Sequence, residues 1–270
     1  SGKRYRLEIR FSFLFAYFYG FHERFPVVFR MSEKSSKKQV VLNAIDYKTL
    51  GRNHEMDEER ELIPPGPDLN LKILDKKNTA VMTIKTFVYY SEREKFYSFI
   101  DTAFERIHKE NIQNLILDLR NNGGGDPFCT THLLSYLESK PVKYFARVYT
   151  GYEKFANPIP LAEKPYTGRL FILINEACYS STGHLCAVLR SNKIGTFIGS
   201  ETGATYTCNN AHQMITLKNT HFRLWRAQVT YEAAAEGLPR NRGIQPDYPV
   251  EPLIQDVLTG KDTVLDYTLK

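Results

Sequence analysis

The feature that most constrains the fold is an alternation of strand-like and helix-like segments between residues 79 and 199. Residues 115–119 and 170–174 are short, continuous apolar runs, which is the pattern of strands buried on both faces. Residues 96–110, which separate two of the strands, repeat apolar side chains at helical spacing. Strands that alternate with helices in this way predict a layered α/β domain with a parallel or mixed sheet.

Shorter segments complete the alternation. Residues 80–87 and 196–199 are predicted strands, and residues 130–138 and 181–191 are predicted helices. The pattern continues without a break in composition, so we expect one domain over residues 71–270.

The first 70 residues have a different character. Residues 25–31 and 39–45 are strand-like and flank a polar turn, which predicts a β-hairpin within a β-rich segment covering residues 1–50. Residues 51–70 are charged and then proline-rich, which predicts a linker. The apolar run at residues 11–21 is shorter than the roughly 18 residues that span a membrane, and it predicts a buried strand or short helix.

Composition narrows the function classes. Hydrophobic residues make up 42% of the chain and charged residues 24%, so a globular core can form. The net charge of +6 is spread along the chain, which favours solubility over a nucleic-acid-binding face. The four cysteines leave room for a single disulfide but have no metal-ligand spacing, and neither a metal nor a cofactor is predicted.

Three consecutive glycines follow the first apolar strand. Gly123, Gly124 and Gly125 can adopt backbone angles that are closed to other residues, and their N–H groups can approach a ligand closely. A plain strand–turn–helix corner would explain these glycines equally well. A phosphate-binding loop is disfavoured, because no Gly-Lys-Ser/Thr follows.

Ser180 lies between the strand at residues 170–174 and the helix at residues 181–191. A hydroxyl group at this place faces backbone N–H groups that have no partner within the helix, where developing negative charge is stabilised. Serine is also a common N-cap, and capping alone is the more frequent role. Because the carboxyl ends of neighbouring strands meet at one edge, we expect the glycines and Ser180 to share a crevice of the kind that binds ligands.

Four motifs in order along the chain resemble one protein family. They are L-D-L-R-N-N-G-G-G at residues 117–125, A-C-Y-S-S-T at 177–182, the segment 198–203, and the closing segment 241–250. The first resembles D-L-R-x-N-x-G-G and the last resembles G-[IV]-x-P-D-x-x-V of the C-terminal-processing (tail-specific) serine peptidases. This family is related to the tricorn core protease and to the interphotoreceptor retinoid-binding modules. The resemblance extends over residues 79–258.

The resemblance implies a crotonase-like layered sheet with flanking helices. It implies that Ser180 is the nucleophile of a serine-type peptidase that acts on peptides or unfolded proteins through an acyl-enzyme. It further implies an oxyanion hole made by the backbone N–H groups of Gly123 or Gly124 and of Ser181.

The family also suggests where such a chain works. Residues 1–50 are expected to be half of a PDZ-like recognition module, and the protein is expected to be exported, either periplasmic or on the outer surface. Ser1 and Gly2 are typical of what remains after tag removal, so a signal peptide would not be part of this sequence.

The general base is where the sequence departs from the family pattern. The tail-specific branch has a lysine at the position that falls on Thr205 here. The tricorn branch has a histidine at the position that falls on Thr83. Neither Thr205 nor Thr83 can take a proton from a serine hydroxyl. Without a base, that hydroxyl is a weak nucleophile.

Two other residues are candidate bases. His184 lies one helical turn after Ser180 on the same face of the predicted helix. Lys85 shares a strand face with the position of the tricorn histidine, and a desolvated lysine can act as a base. Glu201 and Glu236 are weaker candidates.

Two alternatives to peptide hydrolysis stay open at this stage. A catalytically inactive relative would use the same crevice to bind peptides or small apolar ligands. A crotonase-type enzyme acting on acyl-CoA would share the oxyanion geometry but would leave Ser180 without a role.

Overall fold

The structure is a computed structural model that describes residues 15, 19–20, 22–30, 35–44, 67–74, 77–210, 213–253, 255–256 and 259–270. The chain divides into two compact units, one within residues 6–66 and one over residues 67–270. Most of the predicted strand or helix at residues 11–21 and most of the predicted linker at 51–70 lie outside the described residues. The division into recognition segment, linker and peptidase domain stays a prediction.

The smaller unit contains the predicted hairpin. Strand β1 (Arg24–Phe29) pairs antiparallel with β2 (Lys38–Asn43), from Arg24 opposite Asn43 to Phe29 opposite Lys38. Both strands are largely exposed. A two-stranded hairpin of this kind is marginally stable alone.

The larger unit alternates strands and helices as predicted. In chain order its elements are β3 (Leu69–Leu74), β4 (Thr79–Ile84), α1 (Arg93–Lys109), β5 (Asn114–Asp118), α2 (Pro127–Leu137), β6 (Arg169–Ile174), α3 (Ser181–Ser191), β7 (Thr196–Gly199), β8 (Thr207–Asn210), β9 (Gln213–Thr216), β10 (Arg223–Arg226), β11 (Val229–Glu232), β12 (Tyr248–Pro249) and α4 (Thr263–Thr268). A short 3-10 helix, Glu153–Ala156, lies between α2 and β6.

Six strands form the central sheet in the order β12-β7-β6-β5-β4-β3. Strands β4, β5, β6, β7 and β12 run parallel, and β3 pairs antiparallel with β4 at one edge. The layered α/β prediction is confirmed, and the sheet is mixed. The parallel strands send their carboxyl ends, and therefore the loops that follow β5 and β6, to the same edge.

Side-chain alternation along the strands builds two apolar layers. Leu115 and Leu117 of β5 point into the main core together with Phe96 and Phe104 of α1, whereas Ile116 points into a smaller cluster on the other face. The continuous apolar run of β5 is explained by this burial on both faces.

Four strands that were not predicted from the sequence form two antiparallel pairs. Strand β8 pairs with β11, and β9 pairs with β10, both antiparallel. Thr207 lies opposite Glu232 and Thr216 lies opposite Arg223, so the two pairs share one register. We call residues 207–232 the ribbon.

No helix in the described part of the chain is both long enough and apolar enough to cross a membrane.

Glu138 is a buried acid in the main unit. It follows α2 as the C-cap residue and is only 2% exposed. Neither carboxyl oxygen has a hydrogen-bond partner among the described residues. Burial raises the pKa of Glu138 to about 7, although Lys140 acts in the opposite direction.

We expect Glu138→Gln to stabilise the protein by about 1 kcal/mol near pH 8 and by less near pH 5. The pKa of Glu138 is higher in the folded protein than its ordinary value of 4.5. The folded carboxyl therefore holds its proton more tightly, and the free energy of unfolding falls as pH rises from about 4.5 past 7. Glutamine cannot ionise, so the free energy of unfolding of the Glu138→Gln protein does not fall in this way as pH rises.

Urea unfolding at both pH values measures the effect. Glu105→Gln, at an exposed position on α1, is the matched control and should change stability equally at both. A Glu138→Gln effect that is independent of pH would contradict the expectation.

Candidate active site

Ser180 occupies a strained turn between β6 and α3. Its φ of 53° and ψ of −126° are unusual for a residue that is not glycine. Although Ser180 is the N-cap residue of α3, its side chain makes no capping hydrogen bond. The hydroxyl instead lies 3.9 Å from Sγ of Cys208. The purely capping interpretation of Ser180 is therefore wrong.

The glycine turn packs directly against Ser180. Gly124 has a φ of 98° and Gly125 a φ of 147°, so the positive φ expected of this turn is present. A Cβ atom on Gly124 would lie 2.7 Å from Cβ of Ser180 and 2.7 Å from the carbonyl oxygen of Tyr179. A Cβ atom on Gly125 would collide with the main chain of Phe87. Only glycine allows this close approach.

Asn122, which is fully buried, joins the two turns. Its Oδ1 accepts hydrogen bonds from the N–H of Gly124 at 2.9 Å and from the hydroxyl of Thr182 at 2.8 Å. Its Nδ2 donates to the carbonyl oxygen of Ile84 at 2.9 Å, and its own carbonyl oxygen accepts from the N–H of Tyr179 at 3.1 Å. One side chain thus links the end of β4, the glycine turn and the start of α3.

Because Asn122 bonds to the glycine turn, the N–H groups that are free to bind an oxyanion differ from those that the sequence predicted. The N–H of Gly124, which was a predicted oxyanion donor, is already bonded to Asn122. Among the described residues, the N–H groups of Gly123, Gly125 and Ser181 have no acceptor. The nitrogen of Ser181 is 3.0 Å from the position that a Cβ atom on Gly124 would take, so Ser181 and the glycine turn are neighbours.

A small pocket opens at this place. Its walls are Pro127, Phe145, Tyr152 and Tyr231 on the apolar side and Gly125, Ser180, Ser181, His184 and Cys208 on the polar side. The structure therefore brings Ser180, Ser181 and His184 together with Gly125 of the predicted glycine turn.

His184 is almost completely enclosed, with 2% of its surface exposed. Its N–H donates to the carbonyl oxygen of Ser180 at 3.1 Å in the first turn of α3. Nε2 has no partner among the described residues, and the ring makes a hydrogen bond with the backbone of Tyr231. Burial lowers the pKa of His184 to about 4, an effect that the Tyr231 bond partly opposes. The imidazole is therefore neutral near pH 7.

Lys85 follows the last residue of β4 and is not among the residues that line the pocket. Its N–H donates to the carbonyl oxygen of Asp68, which extends the pairing with β3. Alternation along the strand places Lys85 on the same face as Val81, and Val81 packs with Val264 of α4.

The weaker candidates have other contacts. Glu201 receives two hydrogen bonds from Arg242, which together lower the pKa of its carboxyl to about 2. The hydroxyl of Thr205 donates to the carbonyl oxygen of Thr207. Glu236 is exposed beyond the ribbon.

The aspartate and arginine of the D-L-R motif, Asp118 and Arg120, hold the end of β5 in place. Arg120 forms ion pairs with Asp118 at 2.6 Å and with Asp262 at 2.7 Å. Asp262 also caps α4 by accepting from the N–H of Leu265. This network fixes the end of β5 to α4 and so holds the strand that leads into the glycine turn.

Five pocket residues were not predicted from the sequence, namely Pro127, Phe145, Tyr152, Cys208 and Tyr231. Cys208 of β8 and Tyr231 of β11 are cross-strand neighbours at the base of the ribbon. All four cysteines are free thiols, and burial raises the pKa of Cys208. The described residues contain no group of three or more His, Cys, Asp or Glu side chains that could hold a metal ion.

Comparison with solved structures identifies similar folds. The chain superposes on mature CPAF with a TM-score of 0.58 and 13% identity, covering 91% of this chain and 65% of that one. A candidate peptidase from Parabacteroides merdae gives a TM-score of 0.56 and 20% identity, covering 83% and 69%. The photosystem II D1 C-terminal processing protease gives 0.51 and 14%, covering 84% and 57%.

Sequence comparison agrees with the fold. Tricorn protease of Thermoplasma acidophilum is 27% identical over 172 residues, which are 60% of this chain but only 14% of that protein. The similarity to interphotoreceptor retinoid-binding modules stays a prediction. Residues 78–250, well over half of the chain, match peptidase family S41, and the chain therefore belongs to that family.

Proposed function

We propose that this protein is a serine peptidase that cleaves unfolded protein segments or protein tails through an acyl-enzyme on Ser180. The observation that carries the proposal is the geometry of Ser180 itself. Its strained backbone presents an uncapped hydroxyl to a pocket that also contains unpaired N–H groups. Strain of this kind persists where the surrounding structure holds it, and it is concentrated at functional sites.

In this mechanism Oγ of Ser180 attacks the carbonyl carbon of the scissile peptide bond and gives its proton to a base. The tetrahedral intermediate collapses as the base returns the proton to the leaving amine. Water then attacks the acyl ester by the same route and frees Ser180. The N–H groups of Ser181 and Gly125, with Gly123 at the exposed end of the turn, supply the oxyanion hole. One such donor contributes about 3 kcal/mol in serine hydrolases.

His184 is our choice for the base. Its ring bonds to Tyr231, and because Nε2 has no partner, that bond comes from Nδ1. The remaining nitrogen is therefore an acceptor in the neutral ring. No histidine, lysine or carboxylate among the described residues is hydrogen-bonded to the Ser180 hydroxyl, which faces Cys208. The mechanism requires a Ser180 rotamer whose Oγ leaves Cys208 and meets Nε2 of His184, and Lys85 is the competing candidate.

The finer expectations from the family belong to this proposal as well. They are the crotonase-like layering of the sheet, the PDZ-like nature of residues 1–50 and an exported location. A C-terminal processing protease among the similar folds supports the choice of protein tails as substrates.

We expect a fluorophosphonate probe to label Ser180 and no other serine. The probe reacts with an activated serine hydroxyl and forms a stable phosphonate ester, which peptide mass spectrometry can locate. Labelling should disappear in Ser180→Ala and persist in Ser98→Ala, a matched change at an exposed position on α1. If the protein binds peptides but no serine is labelled, the binding-only alternative replaces this proposal.

We expect the rate constant for fluorophosphonate labelling to rise through about pH 4 and then to stay level from about pH 6 to pH 8. The base must be unprotonated to accept the serine proton, and burial lowers the pKa of His184 to about 4. His184→Gln should slow labelling about 100-fold or more. Lys85→Met should leave the rate within about threefold. A rate that climbs above pH 8 and is lost in Lys85→Met would assign the base to Lys85.

We expect Gly124→Ala to slow labelling about 100-fold and to destabilise the protein by about 1–2 kcal/mol. The added Cβ would meet Ser180 and the carbonyl of Tyr179 at a positive φ, so the serine turn must shift. Gly123→Ala is the matched control, because a Cβ atom there meets nothing within 4 Å. Labelling rates and thermal unfolding of both variants check this. Equal effects of the two substitutions would show that the turn does not position Ser180.

A further inference from the structure

The ribbon consists of two antiparallel strand pairs that follow one another along the chain. Its strand pairs keep one register from Thr207 opposite Glu232 to Thr216 opposite Arg223. Each of its strands has four residues and so spans about 10 Å. A turn closes the far end, where the N–H of Leu217 donates to the carbonyl oxygen of Phe222 at 2.9 Å.

The base of the ribbon is part of the pocket that contains Ser180. Cys208 and Tyr231 face each other across β8 and β11, and both line that pocket. The N–H of Ala146 donates to the carbonyl oxygen of Glu232, which anchors the base of the ribbon to the domain. A chain that lies along the ribbon and reaches its base would therefore meet the pocket of Ser180.

The far half of the ribbon carries exposed apolar side chains on both faces. Met214 and Trp225 are cross-strand partners on one face, and Ile215 and Leu224 are partners on the other. Phe222 at the turn is 66% exposed and Trp225 is 63% exposed. In the described part of the chain, β9 and β10 pair only with each other, so both outer edges of this half are open.

Apart from Glu232 at its base, the ribbon carries charge of a single sign. Lys218, Arg223 and Arg226 are its cations, and no aspartate or glutamate occurs between Glu201 and Glu232. Arg223 lies on the face of Met214 and Trp225, and Arg226 lies on the other face. Each face therefore combines apolar side chains with a guanidinium group.

We propose that the ribbon is a docking arm for the substrate, which adds to its open edge as a further strand. The ligand is an extended, unfolded protein segment that carries both acidic and apolar side chains. This inference rests on the proposed function, because it treats the bound segment as the chain to be cleaved. Main-chain hydrogen bonds at a strand edge supply affinity, and alternate side chains supply selectivity.

The distribution of side chains favours a peptide strand over a membrane surface. A bilayer would be matched by one apolar face with cations at its border, whereas the ribbon has apolar groups on two opposite faces. A strand added at the edge sends successive side chains to both faces and can meet an apolar group and an arginine on each.

The test measures binding separately from cleavage. Fluorescein-labelled, dephosphorylated β-casein, an acidic unfolded protein, is titrated with the Ser180→Ala protein, and fluorescence anisotropy reports the Kd. Adding Arg223→Glu and Arg226→Glu together should weaken binding at least tenfold. Lys109→Glu with Lys164→Glu, two exposed lysines away from the ribbon, makes the same change in net charge and should alter the Kd less than twofold.

Two further binding measurements identify the ligand chemistry. Met214→Ser with Leu224→Ser should also weaken casein binding, and casein whose carboxylates have been converted to amides should bind the unsubstituted ribbon poorly. The proposal is overturned if the arginine variant binds casein as before. It is also overturned if that variant loses binding only to phosphatidylglycerol vesicles or to a single-stranded DNA oligonucleotide.

Fluorophosphonate labelling of the arginine variant, with Ser180 restored, separates this inference from the proposed function. The labelling rate should match that of the unsubstituted protein, because the ribbon tip does not touch the small probe. If Ser180 is never labelled but the arginine variant still loses casein, the docking surface stands and the proposed peptidase activity falls. A variant that loses labelling as well would mean that the ribbon shapes the pocket, which contradicts a separate docking role.

Discussion

The buried amide of Asn122 is the interaction on which the geometry of the site depends. Its two side-chain atoms meet three partners, from β4, the glycine turn and α3. Each of those partners is a polar group that would cost about 1–3 kcal/mol if left buried and unpaired. Asparagine alone among the small side chains offers both a donor and an acceptor in one plane. A change at this position would therefore disturb the glycine turn and the serine turn together.

The side chain and the main-chain carbonyl of Asn122 together explain how strain at Ser180 can be maintained. A φ of 53° at a serine is unfavourable, and the cost must be met by contacts that a relaxed turn would lose. Tyr179 donates to Asn122 on one side of the serine, and Thr182 donates to it on the other. The serine is thus held at both ends by one residue, and the absence of a Cβ atom on Gly124 leaves room for its side chain. The parallel sheet supplies the remaining requirement, since it delivers both turns to the same edge.

The sequence predicted the parts of this arrangement that depend on local pattern. The bounds of α3 and β7 agree with the structure, because apolar periodicity and flanking polar residues mark both elements. Ser180 and the glycines were recognised from their place at strand ends. The ribbon was missed because its strands are four residues long and apolar on both faces in the far half, so neither strand alternation nor a buried run marks them.

Other features depend on contacts that no local pattern contains. The spacing of His184 from Ser180 placed both on one helical face, but its burial against Phe145 and its bond to Tyr231 come from segments far away in the chain. The hydrogen bond from the N–H of Gly124 to Oδ1 of Asn122 likewise depends on the conformation of the Asn122 side chain. Such side-chain choices are decided by tertiary packing.

The same burial sets the chemical character of the proposed base. In water an imidazole accepts a proton readily near neutral pH, whereas the pKa of His184 is lowered to about 4 because its charged form loses hydration. A neutral ring is ready to accept the serine proton, but the resulting cation is costly unless a negative charge forms nearby. The tetrahedral oxyanion is such a charge, and it exists only while a substrate carbonyl occupies the site. In the proposed mechanism, proton transfer is therefore coupled to substrate binding, which agrees with the proposed delivery of the substrate along the ribbon.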